Sequence, residues 1–121
     1  MGVYFDHEKL EVYQIAIEFV AWCEPILVEC SGKAASAKKH LDEASSSIAN
    51  NVAEGNGKWS SKDRSRFFEI ARGSALECAS CLDVLVAKGR LNPERVIPGK
   101  KMLRSVVNLL TRMIQNLKSK G

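Results

Sequence analysis

Two helical rhythms separated by Gly55-Asn56-Gly57 confine the middle of this chain to a helical hairpin. On the near side, Ser47, Ile48, Asn50, Val52 and Glu54 mix polar and apolar side chains at helical spacing. The three turn residues tolerate the left-handed conformation that commonly ends a helix, so the first rhythm is expected to stop there. Ser60-Ser61-Lys62-Asp63 restarts the chain in the manner of a capping box, with a Ser hydroxyl accepting from the third helical N–H. Beyond it Phe67, Ile70, Ala71, Ser74, Cys78, Cys81, Leu82 and Leu85 return every three or four residues. Small residues from Ala44 to Ser47 and at Ala49 invite a close neighbour. Gly73, inside the helix that follows the turn, reads as the matching point of close backbone contact.

The flanks supply the partners that such a hairpin needs, because packing provides most helix stability. Residues 1–6 read as a tail, with Asp6 a fair N-cap. From His7 to Cys30, Leu10, Tyr13, Ile17, Val20 and Leu27 recur on one face, with Ala16 and Cys23 alongside. Pro25 falls inside this rhythm, where it removes one hydrogen bond, and a kink near Ala21–Pro25 is expected rather than an end. Ser31-Gly32-Lys33 is the first connection. The second helix has a weak stripe of Ala37, Leu41, Ala44, Ile48 and Val52. Gly89 is a fitting residue just past the third helix. Asn92-Pro93-Glu94 reads as a short helical turn that Pro98-Gly99 interrupts. In the last segment Leu103, Val107, Leu110, Ile114 and Leu117 form a seam, which Val106 and Met113 widen enough to touch two neighbours. The expectation is a single all-α domain spanning 1–121, an antiparallel up-and-down four-helix bundle with helices at about 7–30, 34–54, 61–88 and 99–118.

Charge is segregated along the chain. Through Gly57 four Lys/Arg stand against nine Asp/Glu, a balance of −5; from Lys58 onward fourteen stand against five, a balance of +9. The second half therefore suits an anionic partner, or the two halves suit each other across copies. No apolar run approaches the ~18 residues of a spanning helix, and no signal peptide is visible, so a cytoplasmic protein with no membrane partner is expected. The four cysteines, Cys23, Cys30, Cys78 and Cys81, sit at apolar positions of helical patterns. Cys78 and Cys81 have the spacing of a zinc or redox pair, but the setting favours core packing, and neither a metal nor a cofactor is expected.

Candidate chemistry is sparse. No nucleophile–base pair stands out, no phosphate loop is present, and His7 and His40 lack positioned partners, so no catalytic residue is assigned. Ser47, Asn50 and Glu54 share one helical face, and Arg66, Ser74 and Glu77 lie on the facing helix. The hairpin is expected to bring Glu54 near Arg66 as a structural polar network that fixes register. A catalytic carboxylate at Glu54 or Glu77 is the competing reading. Among the basic residues, Lys58, Arg64, Lys100, Lys101 and Arg104 are expected to contact the phosphates of RNA or DNA. Lys58-Trp59 could meet a strand by charge and stacking, or Trp59 could pack over the bundle end. A protein-interaction scaffold with no nucleic-acid ligand is the alternative function.

Three blocks carry a family resemblance. Leu10-Glu11-Val12-Tyr13 with Ala16, then Ser47-Ile48-Ala49-Asn50-Asn51-Val52-Ala53-Glu54-Gly55, then Arg66-Phe67-Phe68-Glu69-Ile70-Ala71-Arg72-Gly73-Ser74-Ala75 with Glu77, resemble the 23S rRNA intervening-sequence protein family of bacterial four-helix bundles. Similar proteins include the accessory variability protein of diversity-generating retroelements. The resemblance implies a homopentamer with a basic surface and no enzymatic activity, which binds nucleic acid and in some cases a protein partner.

Overall fold

The computed structural model describes residues 3–30 and 34–120, so the first connection, Ser31-Gly32-Lys33, lies outside the described residues. Four helices account for most of the chain: α1 (Glu11–Glu29), α2 (Ala35–Asn56), α3 (Ser61–Ala87) and α4 (Ile97–Lys120). Single 3-10 turns at Asp6–Lys9 and Pro93–Val96 precede the first and last of them. Side-chain contacts fix the directions. Asp6 accepts from Asn56 at 3.0 Å, which sets the chain's start beside the end of α2. Ser47 and Ser74 meet at 2.8 Å between α2 and α3. The ion pairs Lys100–Asp83 and Lys118–Glu69 run α4 antiparallel to α3. Glu29 pairs with Arg95 just before α4, so α1 is antiparallel to α4. The result is an up-and-down bundle in which α1 packs on α2 and α4, and α2 and α3 form the most extensive pair.

One core cluster joins all four helices. On α1 it is Val12, Ala16, Phe19, Cys23 and Ile26, steps of four and three residues, with Cys30 continuing the series just past the helix. The sequence pattern pointed to the neighbouring stripe through Leu10, Tyr13, Ile17, Val20 and Leu27. That stripe is only half-buried, and Ile17 is exposed. Both stripes are apolar, and α2 and α4 decide which one is covered. Ile70 of α3, expected in the core, is likewise exposed. On α4, Leu103, Val106, Leu110 and Ile114 are buried, while Val107 and Leu117 lie at the edge.

Several helix ends differ from the expected bounds for physical reasons. The first helix does not begin at His7. The chain makes a 3-10 turn and then an extended residue, Leu10 (φ −72°, ψ 128°), before α1 starts. The Glu8 carboxylate ties the turn down by accepting from the N–H of Phe5 at 2.6 Å. α1 runs on through Pro25 to Glu29. Ala21 and Pro25 are both exposed, so the missing hydrogen bond lies on the solvent side of the helix. At the other end of the chain, Pro98 and Gly99 do not interrupt. They occupy the first turn of α4, where a missing N–H costs nothing.

Gly55 and Asn56 do not stop α2 either. Both are helical, and Gly57 follows with φ −82° in the right-handed region. Gly55 is buried because α3 needs the space: a β-carbon there would sit 2.8 Å from the Phe68 ring and 3.0 Å from Phe67 Cβ. Gly99 serves α1 in the same way, since a β-carbon there would run into the Trp22 ring. Gly73, by contrast, is exposed with nothing within 4 Å of an added β-carbon, which corrects its expected contact with α2. Among the described residues the one left-handed residue is Gly89 (φ +72°). Its N–H donates to Val86 and that of Arg90 to Leu85, each at 2.9 Å, which closes α3 with a Schellman motif.

Candidate functional site

The hairpin's inner polar groups are fewer than expected. Ser47 and Ser74 share a hydrogen bond at 2.8 Å, and Asn51 donates to the Ser47 carbonyl at 2.8 Å and its hydroxyl at 2.9 Å. Asn51 was missed because the polar face was drawn through Asn50, its exposed neighbour; the i, i+4 spacing from Ser47 was the available signal. Glu54 does not reach Arg66. It pairs with Lys58 one turn on, at 3.4 Å, while Arg66 lies 3.9 Å from Asp63 and over the Phe67 ring. Glu77 is exposed on α3. The network is therefore Ser47, Ser74 and Asn51, which holds register between α2 and α3. Glu54 and Glu77 are solvated side chains that do not converge on a cleft.

The five expected phosphate contacts split between two ends of the bundle. Lys58 and Arg64 stand where α2 hands over to α3, and Lys100, Lys101 and Arg104 stand near the start of α4. Lys100 pairs with Asp83, so about twenty helical residues of α3, roughly 30 Å, separate the groups. Lys58 bridges to Glu54, with its ammonium 5.1 Å from the centre of Phe67. Arg64 is committed to the turn itself. It donates to the carbonyls of Asn56 at 2.8 Å and Lys58 at 3.3 Å, and to the Asn56 side chain at 3.3 Å. These bonds satisfy carbonyls that the end of α2 leaves open. The Ser60 hydroxyl accepts from Asp63 N–H at 3.1 Å and caps α3 as its sequence implied.

Lys101 and Arg104 belong to a different surface. α4 carries six Lys/Arg and no Asp/Glu over its whole length. Its outward side reads Lys101, Arg104, Asn108, Arg112 and Gln115, all exposed. Lys100 and Lys118 on its flank are spent on Asp83 and Glu69 of α3. Lys101, Arg104 and Arg112 have no ion pair among the described residues. Arg112 was missed because the basic residues of the second half were read as one set; the signal was the absence of any acid from 97–120. The neighbouring helix α1 is the reverse, with four Glu and no Lys/Arg.

Where these two helices meet, Arg95 forks onto Glu29 at 2.8 and 3.2 Å and lies over Trp22. The hydrogen bonds from Arg95 hold the Glu29 carboxyl below its ordinary range. The four cysteines are buried free thiols. Burial pushes Cys23 up to about 12 and Cys78 higher still, so both are neutral packing groups at ordinary pH. No group of three or more His, Cys, Asp or Glu that could hold a metal occurs among the described residues, and no helix among them is long and apolar enough to cross a membrane.

Comparison with known proteins adds three findings. A family model described as 23S rRNA-intervening sequence protein matches residues 8–112. The fold is similar to the crystal structure of a protein with unknown function from the S23 ribosomal protein family of Bacteroides thetaiotaomicron VPI-5482, with a TM-score of 0.79 and 19% identity over 85% of this chain and 97% of that one. No curated protein matches the chain by sequence.

Proposed function

This chain belongs to the 23S rRNA-intervening sequence protein family, and from that premise we propose a non-enzymatic, self-associating cytoplasmic protein that binds RNA or DNA along the solvent face of α4. The observation that carries the reading is a whole helix with six basic residues and no acidic one. Lys101, Arg104 and Arg112 lie along it with Asn108 and Gln115 between them, cations and amides suited to phosphate and sugar oxygens. Lys100 plays a secondary part, since Asp83 already holds its charge. Lys58 and Arg64 serve chiefly to build the turn. Four free thiols suit a reducing compartment.

The test is binding of labelled ribosomal RNA and of plain DNA across a salt series. The triple variant Lys101→Glu, Arg104→Glu, Arg112→Glu is expected to lose at least about tenfold in affinity at low salt. Its plot of log K against log salt should be shallower by about 2 to 3. Unchanged affinity and slope would remove α4 from the interface.

A homopentamer is the proposed assembly. Two exposed surfaces support contact between copies. One is the outward side of α3, where Ile70, Leu76 and Val84 flank Gly73 and Ser80; the other is the acidic side of α1 with exposed Ile17 and Val28. The same surfaces favour the alternative, an assembly scaffold with no nucleic-acid ligand. Absence of binding even at low salt would leave that reading in place.

A further inference from the structure

We propose that the bundle end around Trp59 is a stacking platform for unpaired nucleotides, so that the strand lying on α4 is single-stranded where it reaches this end. The proposal rests on the nucleic-acid reading above and specifies its ligand. Its basis is the placement of the aromatic side chains. Among the described residues the exposed ones are Trp59 (99% exposed), Tyr4 (84%) and Phe5 (66%). All three lie at one end of the molecule. Phe5 adjoins Asp6, whose carboxylate accepts from Asn56, and Trp59 stands three residues beyond that asparagine. An indole wholly in water forgoes the burial that folding ordinarily gives it.

The backbone beneath Trp59 is held firmly. Arg64 binds the carbonyls of Asn56 and Lys58, which lead into Trp59; Lys58 N–H donates to Gly55; and Ser60, the next residue, caps α3. The loop thus presents the indole from a fixed base, which lowers the ordering cost of stacking. A surface groove continues from it toward α4. This groove of about 600 Å³ begins one residue after Ser60; Lys62, Arg66 and Lys118 line it beside Leu117. Asp63 and Glu69, also in its wall, pair with Arg66 and Lys118, which leaves Lys62 as its cation without an ion pair among the described residues. It joins the first turn of α3 to the last turns of α4, the helix with no acidic residue. Between Gly57 and Arg66 there are four Lys/Arg and one Asp. Cations flanking exposed aromatic faces suit single strands, because every unpaired base offers a π-face and a duplex offers none along its length.

The experiment compares Trp59→Ala and Trp59→Phe with the wild-type chain, using labelled oligothymidylate and a DNA duplex as probes at low salt. Trp59 is fully exposed, so both variants keep the fold. Trp59→Ala is expected to lose roughly tenfold or more for the single strand and less than about twofold for the duplex, while Trp59→Phe retains most of the affinity. Wild-type tryptophan emission should be quenched by the oligonucleotide and that of Trp59→Phe should not. A wild-type protein that binds neither probe overturns the nucleic-acid reading together with this one. Binding by the wild type with equal losses on both probes, or with none, overturns the platform alone. So does a fall in light-scattering mass for Trp59→Ala, which would assign the indole to a contact between copies.

Discussion

A β-carbon added at Gly55 meets the Phe68 ring at 2.8 Å, whereas one added at Gly73 meets nothing. The two substitutions should therefore move stability in opposite directions. Gly55→Ala is expected to cost about 1–3 kcal/mol through overpacking, despite alanine's better helix propensity. Gly73→Ala is expected to add up to about 1 kcal/mol. Urea unfolding of both variants checks the pair, and a loss at Gly73 would mean that another backbone lies against it. This scale was the hardest to read from the sequence. A helical glycine that makes room and a glycine that ends a helix look alike in one dimension. What separates them here is Phe68, thirteen positions away, which matters only once the hairpin has closed. Ser47 and Ser74 were placed on facing helices of one polar network without being paired with each other, and they meet there; Asn51 was passed over for Asn50, a turn of about 100° around the helix.

At the scale of elements, chemistry confined to a few neighbouring residues was legible. The Ser60 cap and the left-handed Gly89 both stand where the sequence put them, because caps depend on the adjacent residues alone. Which apolar stripe of α1 is buried depends on α2 and α4, and the pattern gave the neighbouring stripe. Arg64 shows the same limit. Read as a phosphate contact, it closes the end of α2 through three hydrogen bonds. Arg64→Gln should accordingly lower folding stability by about 1–2 kcal/mol. Thermal unfolding measures that loss. Nucleic-acid affinity of the folded variant should fall far less than that of the α4 triple variant.

For the whole molecule, the four-helix architecture and the division of charge between halves were both visible in the sequence. The expected bounds of the last helix already left Glu94 outside it; what the structure adds is that Lys101, Arg104 and Arg112 share its exposed side with no ion pair among the described residues. The outward side of α3 makes assembly testable. Ile70→Arg with Leu76→Arg should leave helicity unchanged by circular dichroism and reduce the light-scattering mass to that of one chain. A mass equal to the wild type's would move the contact to another face. The charge layout also acts at a distance. α1 carries only acidic charge, α4 only basic charge, and the two are fixed side by side. Such a body has a permanent electric dipole, and near a polyanion it feels a torque that turns α4 inward before any atom touches. Screening at physiological ionic strength confines that torque to about the last 8 Å of approach. Within that shell, the orientation of first encounter is set by rotation in the field rather than by repeated collision.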